Sequence, residues 1–373
     1  MKLIQADRDI LLKPLQIVTG IVERRHTLPI LSNVLIERKD EKISFVATDL
    51  EIQITTTAQD GTTVSDGYAV TVAAKKLQDI LRALPDKTQV TLESEESRLH
   101  AKAGKSRFHL QTLPVEDFPK FPAGSEPQEK ITLKQKELKH LLSRVQYAMA
   151  QQDIRYYLNG LLLLTEDNQL KVVATDGHRL AFALMALEPS GDRSEARREV
   201  ILPRKVVLEL TRLLSDTDDP VTVEILQNQV RFSFASVVLV TKVVDGKFPD
   251  YNRVIPAGYE KQFDITRQLL LQTLQRASIL SNEKFRGVRL ILTKDNLRIV
   301  CNNSEQEEAE EELEIVYGSD ALDIGFNISY LLDVLNNLDG ETVQLAFGDA
   351  NSSALVTIPG DDSFQYVVMP MRI

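Results

Sequence analysis

Phe45-Val-Ala-Thr-Asp, Val172-Val-Ala-Thr-Asp and Ile299-Val-Cys-Asn-Asn are three variants of one pentapeptide, and their fourth residues stand at 48, 175 and 302, two steps of 127. Each closes an apolar, alternating run: Asn33-Val-Leu-Ile-Glu, Asn159-Gly-Leu-Leu-Leu-Leu and Gly287-Val-Arg-Leu-Ile-Leu. A period of roughly a domain's length predicts three similar domains in a row rather than one fold with insertions. Serial modules of one kind build a curved object, and curvature can close on itself.

Helical patterns flank each block. First helices are expected at about 8–23, 134–150 and 266–280, with Leu11, Leu138 and Leu270 equivalent and apolar residues at three- and four-residue spacing. Second helices are expected at about 74–84, 203–214 and 326–338, matched by Leu81, Leu210 and Leu335. Between them, Ile52-Gln-Ile-Thr-Thr and Val221-Thr-Val-Glu-Ile read as half-buried antiparallel strands. Asp40-Glu, Asp167-Asn and Asp295-Asn mark corresponding hairpins. Linkers rich in Pro and Gly are expected near Phe118-Pro and Phe248-Pro. The pattern is α+β: helices layered on antiparallel sheets, two helices to a domain.

Composition excludes several classes. With 43% apolar and 26% charged residues, the chain reads as an ordinary soluble globular protein, and no stretch nears the ~20 apolar residues of a membrane span. The N-terminal apolar run breaks too early for a signal peptide. A single cysteine, Cys301, forbids an internal disulfide, fits a reducing cytoplasm and reads as a small buried hydrophobe. The net charge of −10 argues against a nucleic-acid partner until it is located. Counted generously at their edges (8–25 for the first), the six helical segments hold 16 Lys and Arg against 6 Asp and Glu, leaving −20 for the rest. Basic helices with acidic strands and loops suit a protein that turns one face to a polyanion.

Six motifs then fix a resemblance: Leu28-Pro-Ile-Leu-Ser-Asn, Gln152-Asp-Ile-Arg-Tyr-Tyr-Leu-Asn-Gly, Ala174-Thr-Asp-Gly-His-Arg-Leu-Ala, Asp245-Gly-Lys-Phe-Pro-Asp-Tyr, Ser281-Asn-Glu-Lys-Phe-Arg-Gly-Val-Arg and Tyr366-Val-Val-Met-Pro-Met-Arg-Ile. Together, in order and from end to end, they resemble the bacterial DNA polymerase III beta subunit, the sliding clamp family. The resemblance implies three clamp domains, here 1–122, 123–254 and 255–373, and a head-to-tail dimeric ring around duplex DNA. It implies a processivity factor that tethers the replicative polymerase and other DNA-processing enzymes, loaded by a clamp loader complex, with no catalysis, cofactor, metal or membrane. By the resemblance Arg25, Lys75, Arg204 and Lys205 face DNA, and a loop with Gln152, Arg155, Tyr156 and Tyr157 touches the duplex or nearby single strand. Packing at a domain edge is the alternative for the two tyrosines. Arg24 and His26 depart from the glycine and proline that the resemblance leads one to expect.

The resemblance also implies a partner-peptide pocket made of Leu158, Thr175, Gly177, His178, Arg179, Leu180, Pro249, Arg253, Val254, Ser353, Val367, Val368, Met369, Pro370, Met371 and Arg372. This set is mostly apolar with a few polar directors, as a peptide cleft requires, and its methionines are adaptable walls. For the dimer, the resemblance sets Lys76, Arg98, Arg107 and Phe108 of one copy against Ile279, Leu280, Glu305, Glu307 and Glu308 of the other. The residues alone leave two other readings open. One is a scaffold that binds only proteins. The other is a hydrolase using His178 with Asp176, although no nucleophile, metal-ligand cluster or phosphate loop accompanies that pair.

Overall fold

The computed structural model describes residues 2–23, 27–59, 67–95, 97–122, 126–188 and 197–372. Arg24, Arg25 and His26 lie outside these residues, as do 123–125 at the first expected domain boundary. The first third runs β1 (Lys2–Asp7), α1 (Arg8–Val18), β2 (Asn33–Lys39), β3 (Lys42–Thr48), β4 (Ile52–Gln59), β5 (Tyr68–Ala73), α2 (Ala74–Ala83), β6 (Gln89–Glu95), β7 (Arg98–Ala103) and β8 (Ser106–Leu113). The second runs β9 (Glu129–Lys134), α3 (Gln135–Ser143), β10 (Gly160–Glu166), β11 (Gln169–Thr175), β12 (Arg179–Ala186), β13 (Arg198–Pro203), α4 (Arg204–Leu213), β14 (Pro220–Ile225), β15 (Gln229–Phe234) and β16 (Val237–Lys242). The third runs β17 (Lys261–Thr266), α5 (Arg267–Ser278), β18 (Gly287–Thr293), β19 (Asn296–Asn302), β20 (Glu308–Glu314), β21 (Leu322–Asn327), α6 (Ile328–Asn337), β22 (Thr342–Phe347), β23 (Ala354–Ile358) and β24 (Asp361–Val368). Among the described residues the order of helices and strands is the same three times.

The repeated pentapeptides end β3, β11 and β19, and Asp40, Asp167 and Asp295 hold the left-handed φ values of 54°, 53° and 56° that their hairpins need. The equivalent helix leucines are all core residues: Leu11, Leu138 and Leu270 are at most 2% exposed, as are Leu81, Leu210 and Leu335. Burying one such leucine contributes about 1.5–3 kcal/mol. Cys301 is buried, which pushes its thiol up to about 11 and leaves it inert.

Two expectations shift. The first helices are shorter than the periodicity suggests. α1 stops at Val18, before Gly20, and α3 stops at Ser143. Beyond it Val145, Ala148 and Met149 are buried from a turn and a short 3-10 segment, so helical spacing continued without a helix. The observed helices carry 12 Lys and Arg against 5 Asp and Glu. The basic excess is therefore real but smaller. Secondly, Phe118 and Phe248 are not solvent-washed linker residues, because each is buried against an apolar cluster.

By contact density the chain separates into two compact units, Met1–Leu138 with Arg212–Val243 and Lys139–Thr211 with Val244–Ile373. The middle third is shared between them because its sheets continue those of its neighbours. The first unit holds a twelve-stranded sheet ordered β1-β6-β7-β8-β5-β2-β3-β4-β16-β15-β14-β9. The second holds an eight-stranded sheet, β13-β10-β11-β12-β24-β23-β22-β17, and a four-stranded sheet, β20-β19-β18-β21. Within the first unit β4 pairs antiparallel with β16 (Ile54↔Leu239), and within the second β12 pairs with β24 (Ala181↔Tyr366). β20 is the counterpart of β4 and β12, and β8 is the counterpart of β16 and β24. Neither has the matching partner: β20 ends its sheet, and β8 pairs with β7 and, at Thr112 and Leu113 only, with β5, so the residues of both strands are largely exposed.

Candidate peptide cleft and sheet edges

Thr175 and Asp176 build the turn from β11 to β12. Thr175 Oγ1 donates to the Arg179 carbonyl at 2.6 Å, and Asp176 Oδ1 accepts from the His178 and Arg179 amides at 2.9 and 3.1 Å. Asp176 Oδ2 accepts from Arg179 Nε at 3.1 Å. Both carboxylate oxygens are committed to holding the turn, and none of these bonds goes to the His178 imidazole. That arrangement removes the basis of the hydrolase reading.

Gly177 in this turn has φ +88°, where a side chain is strained, and a Cβ there would stand 2.9 Å from the Arg155 guanidinium. The space left beside it is a cleft of about 260 Å³. Its apolar walls are Leu158, Leu180, Phe248, Pro249, Tyr251, Val254, Val367 and Met369, and Arg155, Tyr157, Thr175, Gly177, His178 and Arg179 complete it. The floor belongs to a core cluster that includes Leu162, Val173, Phe182 and Ile201. The Tyr251 ring stacks on Phe182, with 5.6 Å between centroids. Apolar walls with few directed polar groups are the composition of a site for a small ligand or short peptide.

Arg179 anchors the cleft from beneath. It is 9% exposed, donates to Asp333 Oδ2 at 2.6 Å and to the Tyr147 carbonyl at 2.7 Å, and lies 4.4 Å from the Tyr330 ring centroid. Burial opposes its charge, but Tyr366, Asp333 and Asp176 outweigh that and raise its pKa further. Burial likewise drives Tyr366, whose hydroxyl donates to the Tyr330 carbonyl, far above the usual phenol value.

Of the sixteen residues that the resemblance assigns to the pocket, the cleft gathers Leu158, Thr175, Gly177, His178, Arg179, Leu180, Pro249, Val254, Val367 and Met369. The others sit around it. Arg253 is exposed and ion-paired to Asp250 at 3.0 Å. The Ser353 carbonyl accepts from Tyr259 Oη at 2.8 Å, and Val368 is buried in the sheet opposite Arg179. On the terminal segment Met369 N donates to the His178 carbonyl and Met371 N to that of Gly325, with Pro370 half-buried between them and Arg372 exposed. Sequence reasoning missed Phe248 and Tyr251, which flank Pro249 in a stretch read for its prolines. Their aromaticity was the available signal, since a solvated linker has no need of two large rings.

The residues expected at DNA fall on two kinds of element. Lys75 and Lys76 follow Ala74 in the first turn of α2, and Arg204 and Lys205 begin α4. Arg204 donates to the Met149 carbonyl at 3.2 Å, and its burial lowers its pKa. Gln152, at φ +55°, and Tyr156 project from the loop before β10, where the Tyr156 and Tyr157 rings meet edge to face at 5.9 Å. Arg155 is clamped by Asp153 at 3.0 and 2.8 Å, which holds the Asp153 carboxyl down at about 2.

At the unmatched edges, Arg98 and Arg107 are exposed on β7 and β8, with Phe108 half-buried. Ile279, just past α5, is 77% exposed and Leu280 is half-buried. Glu305, Glu307 and Glu308 are exposed, and Asn303 Oδ1 accepts from the Glu305 and Glu307 amides in a third version of the braced turn.

Comparisons agree with this architecture along the whole chain. Models of the N-terminal, central and C-terminal domains of the DNA polymerase III beta subunit match residues 1–122, 132–250 and 252–372. A Beta sliding clamp from Pseudomonas putida is 47% identical over 366 residues, covering 98% of each chain. Its namesake from Escherichia coli K12 is 45% identical over 367 residues, covering 98% of this chain and 99% of the relative. The crystal structure of the DNA polymerase III subunit beta from Pseudomonas aeruginosa superposes with a TM-score of 0.95 at 45% identity, over 100% of both chains.

Proposed function

Because the chain belongs to the DNA polymerase III beta subunit family, we propose that it is a DNA sliding clamp, a ring closed on duplex DNA that tethers the replicative polymerase and other DNA-handling enzymes. The observation that carries this reading is the accounting of sheet edges. Three repeats joined through β4·β16 and β12·β24 leave the edge strand β20, and β8 beyond its short pairing with β5 at Thr112 and Leu113, without the partners their counterparts have. A second copy supplies the missing partner for each, and head-to-tail pairing of two copies closes six repeats into a ring. Charge supports that orientation. β20 turns Glu308, Glu310, Glu312 and Glu314 to solvent, while Arg98, Lys102, Lys105 and Arg107 surround β8. Opposite signs around the apolar Phe108, Ile279 and Leu280, with Lys76, Glu305 and Glu307 at the rim, select this pairing and oppose like-to-like docking.

The helix starts support the DNA reading. A helix macrodipole favours acids in the first turn, by about 0.3–1 kcal/mol each, yet α2 opens with Lys75 and Lys76 and α4 with Arg204 and Lys205. Cations added to free helix amides suit passing phosphates. We assign Arg25 and the loop of Gln152, Arg155, Tyr156 and Tyr157 to the same duty, with Arg155 and Tyr157 also walling the cleft. The cleft, with Arg253, Ser353, Val368, Pro370, Met371 and Arg372 at its margins, is assigned to short apolar segments of the polymerase, of a clamp loader complex and of other partners. Burying two or three side chains there, less the cost of ordering the segment, gives roughly micromolar binding. Domain limits at 122/123 and 254/255, a cytoplasmic location and the absence of a catalytic step complete the proposal. No described helix is long and apolar enough to cross a membrane.

Native mass and retention on DNA test it together. The chain of 42.0 kDa should run as a particle of twice that mass. Loaded on closed circular duplex it should persist until the circle is cut, with steep salt dependence and little dependence on base sequence. A monomer, or retention unaltered by linearisation, refutes the ring.

A further inference from the structure

His100 on β7 and His109 on β8 are directly opposed in the antiparallel register, and their Nδ1 atoms are 2.5 Å apart with the rings edge to face. In such a contact one nitrogen donates and the other must offer a lone pair. Glu95 decides which. Its Oε2 lies 3.4 Å from His100 Nε2, the opposite side of that ring, so the His100 proton is favoured at Nε2 and its Nδ1 is left bare. A carboxylate behind one imidazole nitrogen and a free lone pair on the other is the arrangement that surrounds metal-bound histidines.

We propose that His100 and His109 form a binding site for a divalent transition-metal ion of the zinc, nickel and copper class. Imidazole nitrogen suits these ions, whereas magnesium and calcium prefer oxygen. Two nitrogens bound to one tetrahedral zinc at about 2.0–2.1 Å stand roughly 3.3 Å apart. The rings need to part by less than about 1 Å, within reach of small side-chain rotations. On binding, His109 exchanges its proton through solvent from Nδ1 to Nε2, so both rings stay neutral and each offers Nδ1 to the ion. His100 keeps its Nε2 proton toward Glu95.

The surroundings set the limits of the site. Glu93 opposes His100 across β6, but its carboxylate accepts from Lys102 Nζ at 2.6 Å and is not free to become a third ligand. Arg98, Lys102 and Arg107 flank the histidines and raise the cost of a dication. Among the described residues no group of three or more His, Cys, Asp or Glu ligands occurs. The site is thus two imidazoles completed by water, exchangeable rather than structural. It is complete within one chain, clasping β8 to β7, and does not rest on the ring.

Zinc and nickel binding to the full chain, measured by competition with a chromophoric chelator, tests the proposal. One ion per chain is expected, with at least a tenfold loss of affinity in His100→Gln and in His109→Gln and none in His140→Gln. Equal affinity in all four proteins overturns the site. The unmodified chain provides a second readout that does not depend on variants folding. The ring proton signals of His100 and His109 should move on adding one equivalent of zinc, while those of the other histidines stay still. Movement of another histidine instead, or of none, refutes the assignment.

Discussion

In the turn from β3 to β4, Thr48 Oγ1 donates to the Ile52 carbonyl and accepts from the Leu50 amide, while Asp49 Oδ1 accepts from the Glu51 and Ile52 amides. In the turn from β11 to β12 the same atoms of Thr175 and Asp176 make the same four bonds, to Arg179, Gly177, His178 and Arg179. Beneath each turn lies an apolar pit. Leu31, Leu35 and Val46 in the first correspond, 127 residues on, to Leu158, Leu162 and Val173 in the second, and Phe118 to Phe248. The first pit is capped by Leu50, a non-glycine residue at φ 77°, and by Val115. The second has Gly177 at the position of Leu50, where a Cβ would meet the Arg155 guanidinium, and the cleft opens beside it. A repeated scaffold turned into a candidate binding site by leaving out one side chain.

The most damaging change to that contrast is Gly177→Leu. Leu50 shows that the turn tolerates leucine at a left-handed φ, and the Arg155 guanidinium, the group a new Cβ would meet, is the movable end of a long side chain. Filling the pit excludes at least two apolar anchors at about 1.5–3 kcal/mol each. Affinity for a polymerase-derived clamp-binding peptide, followed by calorimetric titration, should fall by more than about a hundredfold, with native mass unchanged. Undiminished binding places the partner site elsewhere.

Next in size is the pair Asp176→Asn and Asp49→Asn. Asparagine keeps the oxygen that accepts the two amides but loses the charge. At Asp49 the position of Arg179 is taken by Ile52, which offers no guanidinium to the second carboxylate oxygen, so the loss of stability there should be the smaller. Asp176 also faces the buried Arg179, and a lost hydrogen bond to a charged group costs about 1.5–3 kcal/mol. Peptide affinity should fall for Asp176→Asn, and the thermal midpoint should fall further for it than for Asp49→Asn. Equal effects would mean that Arg179 is held entirely by Asp333 and the Tyr147 carbonyl.

Leu50→Gly is the converse, opening the first pit. A half-buried leucine is lost, offset in part by relief of its left-handed backbone, for a net destabilisation on the order of 1 kcal/mol. Thermal denaturation should show a modest fall. A rise would mean that strain at Leu50 outweighs its packing.

The period of 127 made the repeat, the helix leucines and the hairpin aspartates legible, because they obey local rules of spacing and turn geometry. The cleft was only partly legible. Thr175, His178 and Met369 came from a family resemblance, and Phe248 and Tyr251 were hidden by prolines that suggested a linker. Pairing of β4 with β16 and of β12 with β24 was not legible either, since edge-to-edge joining depends on backbone groups that carry no residue signature. The length of α3 failed for a related reason: Val145, Ala148 and Met149 are buried by tertiary packing while keeping helical spacing.

The smallest effect separates the two roles of Arg155. Its counterpart in the first repeat is Leu28, which has no charge to be clamped. In the second repeat the Arg155 side-chain bonds lower the Asp153 carboxyl from 3.8 to about 2. A depressed carboxyl contributes its interaction above the unfolded value and loses it as pH falls through the folded one. Between about pH 5 and pH 8 Asp153 should therefore stay charged, with Arg155 held over Gly177, and this pair should impose no pH dependence on peptide binding. NMR titration of the Asp153 carboxyl carbon should find its midpoint near 2 in the free protein. Bound DNA phosphate, by drawing Arg155 away, should move that midpoint up toward 3.8, whereas bound peptide should leave it low. A midpoint already at the ordinary carboxylate value in free protein would mean that Arg155 is not clamped, and that this wall of the cleft is free to move before any partner arrives.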